Sequence, residues 1–275
     1  MIDEDLSEND LNIALHLVYK YTHVKMTPMK KVLLRSRLSH RLSHHNLNHW
    51  SDYWKLVESD PLELDQFINL VTTHKTHFHR TSSIWEYFSK QFLPLFYKQN
   101  PKAHLRIWSA ACSTGEEAYT SAMYCEEFIK FHPGFSYNIF ASDISTEVLE
   151  FAKKAQYQEQ SLDILKQEHP HFIQNYMKSI DSGSSEIIPN IRSKVTFSQK
   201  NLFKHSIPRS SFDLIFLRNV LIYFDSTDQL KLVDLIKHTL SPTGVLIIGE
   251  SETLDKTKNQ MDYIQPLIYT QKKIA

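Results

Sequence analysis

Acidic side chains follow two short apolar segments of the sequence, in positions where they could meet a ligand. Glu116 and Glu117 come after the apolar run and the small residues of LRIWSAACSTGEEA (residues 105–118), and Asp143 ends YNIFASD (residues 137–143). In a parallel sheet the ligand lies beyond the carboxyl ends of the strands, close to the turn that follows the first strand. We therefore expect Glu116 and Asp143 to face one ligand.

The charge of these side chains restricts the chemistry of that ligand. Two carboxylates at a helix start would repel a phosphate, and the stretch holds a single glycine, Gly115, where phosphate-binding turns hold several. Glu116 instead suits a cationic or hydroxylated group, and Asp143 stands where an acid accepts hydrogen bonds from ribose hydroxyls. A nucleoside that carries a positive charge and no phosphate is S-adenosyl-L-methionine, which we expect as the ligand.

Plainer explanations of the same residues stay open at this point. Glutamates in a first helical turn are stabilised by the helix dipole without any ligand. Cys112 in the same loop could act as a nucleophile, but no histidine accompanies it there, and a small buried cysteine is the commoner case. A nicotinamide-dependent oxidoreductase on such a sheet is disfavoured because the phosphate-binding glycines are missing.

The elements that position these residues change character along the chain. From Leu11 to about Leu70 the pattern is helical, with a break at Asp60-Pro61, because a residue before proline is disfavoured in the α conformation. From residue 105 onward, apolar runs alternate with helical segments, which predicts a mostly parallel sheet of α/β type. The predicted strands are LRIWSA, YNIFASD, VTFSQ, FDLIFLRN, GVLIIGE and IQPLIYTQ.

Two further features concern the connections between these elements. More than 50 residues separate NIFASD from VTFSQ, which is too long for one crossover helix, so an inserted element is expected at about 161–194. Ser226 and Gln229 have the spacing of a capping box before the helical segment LKLVDLIKHTL.

Composition places the chain among globular proteins of a reducing compartment. Hydrophobic residues make up 41% of the 275 residues, and the two cysteines supply no disulfide framework. No apolar run approaches the ~18 residues that a membrane span needs, and the acidic start MIDEDLSEND is not a signal peptide. We expect a cytoplasmic protein that does not insert into a membrane.

The chain has a formal net charge of zero, but one segment is strongly basic. Residues 20–51 contain no acid but hold seven basic residues, Lys20, Lys25, Lys30, Lys31, Arg35, Arg37 and Arg41. Such a face attracts an acidic partner or is simply solvated. Nucleic acid is not expected as the partner, because the segment has few aromatic residues and the pI of the chain is about 7.3.

Histidines of the same segment have a spacing that could hold a metal. His40 and His44, like His45 and His49, are four residues apart and would share a helix face. Neither an acid nor a cysteine lies nearby in the sequence, so we expect solvated histidines and no metal.

Several longer stretches carry a resemblance to a known family. They are VTTHKTHFHR (71–80), WSAACSTGEEAYTSAM (108–123), FASDISTEVLEFAKKAQY (140–157), KNLF (200–203), FLRNVLIYFD (216–225) and GVLIIGESETL (244–254). From about residue 11 to the end, the chain resembles the CheR-type chemotaxis receptor methyltransferases. The resemblance implies an all-α N-terminal receptor-docking domain (1–70), a linker that contributes to the donor site (71–98) and a Rossmann-like methyltransferase domain (99–275), with the insertion as a small antiparallel β-subdomain.

The resemblance also implies roles for individual residues. For the donor, S-adenosyl-L-methionine, and its product S-adenosyl-L-homocysteine, the implied contacts are His74, Thr76, Arg80, Glu116, Asp143, Asn201, Leu202, Arg218 and Asn219. Glu116 would meet the methionine amino group, Asp143 the ribose, and Asn201 with Leu202 the adenine. Arg80, Arg218 and Tyr223 would be the catalytic residues, with Arg80 orienting donor and substrate and Tyr223 positioning the carboxylate. The implied substrate-docking residues are Lys30, Arg35, Arg37 and Arg41.

The implied reaction is methyl transfer to glutamate side chains on the cytoplasmic helices of chemoreceptors, by a monomer without a metal. Departures from the family pattern lie in the linker, where His74 replaces Asn, His79 replaces Phe, and Thr81 stands where an acid is usual. They motivate an alternative, a degenerate donor-binding protein that acts as a scaffold or sensor.

Overall fold

The structure, a computed structural model, describes residues 5–99, 102, 104–181, 183–204, 206–254 and 261–271. The predicted fold class is confirmed: a helical N-terminal region precedes a mostly parallel sheet, and a second, small antiparallel sheet is inserted into the latter.

Four helices form the N-terminal region around a core of their own. Leu34, Leu38 and Leu42 repeat every four residues and are fully buried, as an amphipathic helix requires. The break at Asp60-Pro61 separates two helices, since the Asp60 side chain accepts a hydrogen bond from the Leu62 N–H and Pro61 occupies the first helical position. The helices are α1 (Glu8–Thr22), α2 (Lys31–His44), α3 (Trp50–Ser59) and α4 (Pro61–Val71).

The segment after α4 leads into the sheet through helical turns. Within it, α5 (Ser82–Tyr87) and α6 (Leu93–Gln99) are joined by a π-helical stretch, Phe88–Phe92. His79 and Thr81 have positive φ values of 57° and 67°, which side chains other than glycine seldom adopt. The backbone is thus sharply turned on both sides of Arg80.

Seven strands form the main sheet, in the order β6-β2-β1-β7-β8-β10-β9. The first five of these are parallel to one another, and β10 is antiparallel to both of its neighbours. Alternate residues of β7 face two different cores, Leu214 with Phe216 and Ile215 with Leu217, which explains the continuous apolar run. The strands are β1 (His104–Ser109), β2 (Ser136–Asp143), β6 (Val195–Gln199), β7 (Phe212–Leu217), β8 (Leu240–Ile248), β9 (Met261–Gln265) and β10 (Ile268–Gln271), and the crossover helices are α7 (Glu116–Ile129), α8 (Thr146–Lys154) and α12 (Ser226–Thr239).

The insertion between α8 and β6 contains helices as well as strands. Its three-stranded sheet has the order β3-β5-β4 and is antiparallel. The first strand begins at residue 156, before the range 161–194 in which the sequence places the inserted element. The elements are β3 (Gln156–Gln158), α9 (Glu159–Glu168), α10 (Pro170–Tyr176), β4 (Met177–Asp181), β5 (Ser184–Ile187) and α11 (Pro189–Arg192).

Two sequence-based expectations near the C-terminus are wrong. The segment IQPLIYTQ is not one strand but parts of β9 and β10, because Pro266 has no N–H and Leu267 adopts a φ of 70° in the turn between them. The cap of α12 is Asp225 rather than Ser226, since its carboxylate accepts hydrogen bonds from the Thr227 and Asp228 N–H groups.

The helical region packs against the sheet region through polar contacts. The Asn201 amide donates to the Tyr21 carbonyl at 2.9 Å, and the Tyr19 hydroxyl donates to Asp228 at 2.8 Å. The His23 ring stacks on Phe203, with ring centroids 4.0 Å apart. These contacts lie beside the carboxyl ends of the parallel strands, so the two regions meet where the sheet would bind a ligand.

Candidate active site

A cavity of about 670 Å³ opens at the carboxyl ends of β1, β2, β7 and β8. The chain turns from one half of the sheet to the other between β1 and β7, which is where open α/β sheets bind ligands. The helical region and the linker supply the other walls. Nine of the ten residues predicted for the donor site or for catalysis line the cavity: His74, Thr76, Arg80, Asp143, Asn201, Leu202, Arg218, Asn219 and Tyr223.

Asp143 holds the loop after β1 while it faces the cavity. Its carboxylate accepts hydrogen bonds from the Ser113 N–H at 2.9 Å and from the Ser145 N–H at 3.1 Å, and the residue is 7% exposed. An ionised carboxylate has about four acceptor sites, so two stay available for hydroxyl donors. His74 lies 4.0 Å from this carboxylate, and burial lowers the pKa of the imidazole despite the opposing charge of Asp143.

Gly115, the single glycine of this stretch, serves packing rather than ligand approach. Its φ is 95°, and a Cβ atom there would lie 2.9 Å from the Ala152 Cβ and 3.1 Å from the Tyr157 hydroxyl. The residue is therefore needed for the turn into α7 and for the contact with α8.

Of the two glutamates that begin α7, the structure brings Glu117 rather than Glu116 to the cavity wall. Glu116 is 4% exposed and accepts a hydrogen bond from the Thr114 hydroxyl at 2.7 Å, and burial raises the pKa of its carboxyl group. Glu117 pairs with Arg218 at 3.0 Å and accepts from the Ser109 hydroxyl at 2.6 Å. The contact of Glu116 with the donor stays a prediction, and Glu117 is a second candidate for it.

Arg218 is buried at the centre of one wall. Besides its ion pair with Glu117, it donates to the Arg80 carbonyl and to the Thr81 hydroxyl, both at 2.9 Å. Its Nε is buried and has no hydrogen-bond partner among the described residues. Arg218 therefore fixes the linker to the sheet and keeps one N–H unsatisfied.

Arg80 extends along the same wall to Glu250, which sequence reasoning missed. The guanidinium contacts the Glu250 carboxylate at 3.1 Å, and the Thr81 hydroxyl donates to that carboxylate at 2.7 Å. Burial alone would raise the pKa of Glu250, but the Thr81 hydrogen bond and the Arg80 charge lower it to about 2. Nothing in the sequence signals this pairing, because its partners are 170 residues apart.

Four more predicted residues that line the cavity follow strands β6 and β7. Asn201 is anchored by its bonds to Tyr21 and to the Phe203 N–H, and Leu202 beside it is 8% exposed. Asn219 adopts a φ of 57° and its N–H donates to Glu252, while Tyr223 ends a 3₁₀ turn. An amide and an apolar side chain together suit a flat heteroaromatic ring.

The four predicted docking residues divide into two pairs. Arg37 donates to the Leu70 and Thr72 carbonyls, and Arg41 forms a short, buried ion pair with Glu63 that also includes His45. Lys30 is exposed at the cavity wall, and Arg35 is half exposed with only a 3.4 Å contact to Asp5. Two of the four charges are thus committed to the fold, and a substitution of either would disturb the helical region itself.

The two cysteines are buried, and Cys112 lines the cavity. Burial raises the pKa of both thiols well above the ordinary value, so both stay protonated at neutral pH. A thiol in that state is a poor nucleophile. The arrangement therefore favours the packing explanation of Cys112.

None of the helices in the described part of the chain has the length and apolar character needed to cross a membrane.

Both the helical region and the sheet region of the chain match models of known protein families. The model described as "CheR methyltransferase, all-alpha domain" matches residues 9–72, and that described as "CheR methyltransferase, SAM binding domain" matches residues 74–269.

Individual relatives cover nearly the whole chain. A chemotaxis protein methyltransferase of Borreliella burgdorferi is 30% identical, over 96% of this chain and 95% of the relative. The Escherichia coli chemotaxis protein methyltransferase is 31% identical over 98% and 92% of the two chains. Chemotaxis protein methyltransferase 1 of Pseudomonas aeruginosa is 31% identical over 86% and 87%.

Proposed function

The chain belongs to the CheR methyltransferase family, and from this membership and the cavity at the sheet edge we propose that it transfers a methyl group from S-adenosyl-L-methionine to glutamate side chains of chemoreceptors. The observation that carries the proposal is the convergence of Asp143, Arg80, Arg218 and Tyr223 on one cavity. Because the proposed acceptors lie on the cytoplasmic helices of receptors, we place the reaction in the cytoplasm.

The walls of the cavity suit the three parts of the donor. Asp143 has acceptor sites left for ribose hydroxyls, and Asn201 with Leu202 borders space for the adenine ring. Glu117, paired with Arg218, or its neighbour Glu116 would meet the methionine amino group. The unsatisfied Nε–H of Arg218 gives a further donor for a carboxylate or carbonyl oxygen at this wall.

The acceptor needs no general base. A glutamate carboxylate, with an ordinary pKa of about 4.3, is already ionised at neutral pH. Attack by this anion on a sulfonium methyl group gives a neutral ester and a neutral thioether, so charge disappears along the reaction. An enclosed cavity with apolar walls, which include Val24, Met26 and Val220, disfavours separated charges and so favours that change.

The protein's contribution is then mainly alignment of the attacking oxygen with the methyl group. Tyr223 and Arg80 both line the cavity, where the phenol O–H and the charged guanidinium offer hydrogen-bond donors to a carboxylate. Arg80 is held by Glu250, which leaves the guanidinium partly neutralised. Such a paired arginine can orient an incoming carboxylate without binding it so tightly that its nucleophilicity falls.

The scaffold or sensor alternative is less favoured than the active enzyme. The departure at Thr81 supports the cavity wall from behind, since its hydroxyl accepts from Arg218 and donates to Glu250, two residues that line the cavity. His74 likewise has a defined place beside Asp143. Two of the three unusual linker residues, His74 and Thr81, thus have defined contacts at the candidate site.

Methyl transfer itself is tested by incubating the protein with radiolabelled S-adenosyl-L-methionine and a receptor-containing membrane fraction. We expect base-labile label on the receptor, as a carboxyl methyl ester requires, and none on receptors whose acceptor glutamates are replaced by alanine. Donor binding by calorimetry without any label on the receptor would select the scaffold alternative instead.

Docking of the receptor should depend on Arg35, the half-exposed arginine of α2. Raising the salt concentration and the Arg35→Glu substitution should each increase the KM for receptor several-fold, because surface charges are screened beyond about 8 Å at physiological salt. The affinity for the donor should not change, since Arg35 does not line the cavity. Lys153→Glu, on the surface of α8, is the matched control and should leave both values unchanged. A KM that is independent of salt in the wild type would exclude electrostatic docking.

A further inference from the structure

Three potential metal ligands meet where the linker contacts the insertion, outside the cavity described above. They are His79 in the linker, and Glu168 and His169 at the end of α9. One ligand atom from each lies within 4.8 Å of the other two. We propose that these residues bind a divalent transition metal ion, with zinc as the best fit.

His79 provides the strongest indication of a ligand. The residue is 2% exposed, and its Nδ1 is buried with no hydrogen-bond partner among the described residues. The nearest group is the Glu168 carboxylate, whose Oε2 lies 3.1 Å from that nitrogen. An imidazole binds a metal through the lone pair of a ring nitrogen, and a buried Nδ1 without a hydrogen-bond partner is placed to supply it.

Tyr124 supports both imidazole rings from α7. Its hydroxyl oxygen lies 2.7 Å from the Nε2 of His79 and 3.0 Å from the Nε2 of His169. Metal-binding histidines donate a hydrogen bond from the N–H of the second ring nitrogen, for which the Tyr124 oxygen is the acceptor here, and this bond orients the ring and fixes its tautomer.

The spacing and the donor set agree with a zinc site. With bonds of about 2.0–2.1 Å, the ligand atoms of a tetrahedral site are roughly 3.3 Å apart. The separation of 3.1 Å between His79 and Glu168 is close to that value. Two nitrogens and a carboxylate are a common set for zinc, and Glu168, with a side chain 43% exposed, leaves access for a water as fourth ligand.

A metal at this position would join the linker, which lines the cavity, to the insertion, which does not. His79 directly precedes Arg80, and Glu168 also accepts a hydrogen bond from the Ser82 hydroxyl at 3.0 Å. The ion would thus hold the sharply turned linker against α9. This role is independent of the identity of the methyl acceptor.

The test is a titration of the metal-stripped full-length protein with Zn²⁺ by calorimetry, followed by Co²⁺ as a spectroscopic probe. We expect the protein to bind one equivalent of Zn²⁺ tightly, its melting temperature to rise, and the Co²⁺ form to show the visible absorption of a tetrahedral site. Glu168→Gln, at an exposed position, and His79→Phe, which keeps a ring among Trp85 and Tyr124, should each weaken this equivalent about a hundredfold or more. His171→Gln is the matched control for the many surface histidines, and it should leave the affinity for this equivalent of Zn²⁺ unchanged.

Three results would overturn the proposal. One is the absence of a tight equivalent in the wild type, which would mean that His79 and Glu168 form only a hydrogen-bonded pair. Another is equal affinity in the wild type and Glu168→Gln, a variant that tests the ligand even if His79→Phe does not fold. The third is loss of the equivalent in His171→Gln, which would place the ion elsewhere.

Discussion

Replacement of Arg80 by alanine is expected to lower the turnover number for receptor methylation about a hundredfold, the scale of the loss when reacting groups are misaligned by about 1 Å. The substitution removes the charged group that we propose to orient the acceptor carboxylate. It also frees Glu250, whose anionic carboxylate would then repel the incoming glutamate. The affinity for S-adenosyl-L-methionine should fall much less, since Asp143 and Asn201 remain in place.

The stability of the unliganded protein separates this role from a structural one. The Arg80–Glu250 pair is partly exposed, with side chains 25% and 41% accessible, so its loss should cost about 1 kcal/mol or less of unfolding free energy. Arg192→Ala is the matched control, because it removes a similarly exposed arginine–glutamate pair in the insertion. A large fall in melting temperature without donor, together with unchanged turnover per folded molecule, would show that Arg80 is only structural.

Replacement of Asp143 by alanine should weaken donor binding by about 1.5–3 kcal/mol, or roughly ten- to a hundredfold, the range for hydrogen bonds to charged groups. The same change leaves the Ser113 and Ser145 N–H groups unpaired, so a loss of stability should accompany it. Calorimetry with S-adenosyl-L-homocysteine, at a temperature where circular dichroism shows the variant to be folded, measures the affinity.

A matched control separates these two effects of Asp143→Ala. Asp213 also accepts a backbone N–H, that of Arg106, at 3.0 Å, but it does not line the cavity. Asp213→Ala should therefore cost stability while the donor affinity is unchanged. Equal donor affinities in folded Asp143→Ala and in the wild type would show that Asp143 does not contribute to donor binding.

Local patterns were sufficient to predict most of the fold. Five of the six apolar runs form single strands as expected, because continuous apolar character is what a parallel strand covered on both faces requires. The sixth contains Pro266, whose missing N–H could have indicated the turn. Asp225 could likewise have been recognised as the cap of α12, because aspartate is a preferred cap residue and Asp225 directly precedes Ser226, the expected cap.

The order of the strands predicts only the part of the site that follows strands, and the linker residues of the site came from the family resemblance. Asp143 ends β2, and Arg218 with Asn219 follows β7, so the topology of the sheet brings these three residues together. The choice between Glu116 and Glu117 depends on the rotation of α7, which one residue changes by about 100°. The pairing of Arg41 with Glu63 and of Arg80 with Glu250 depends on tertiary packing, which a sequence pattern does not record.

The cavity is walled by both regions of the chain, and this limits how its specificity can be re-engineered. A chimera that imports the helical region of a relative, in order to redirect the choice of receptor, would also exchange one wall of the donor site. The imported region would have to keep a carbonyl for Asn201, where Tyr21 now supplies it, and partners for Asp228 and Phe203, where Tyr19 and His23 now stand. An exchange of the whole helical region is therefore expected to change donor affinity as well, whereas a graft confined to the outer face of α2 would keep these contacts.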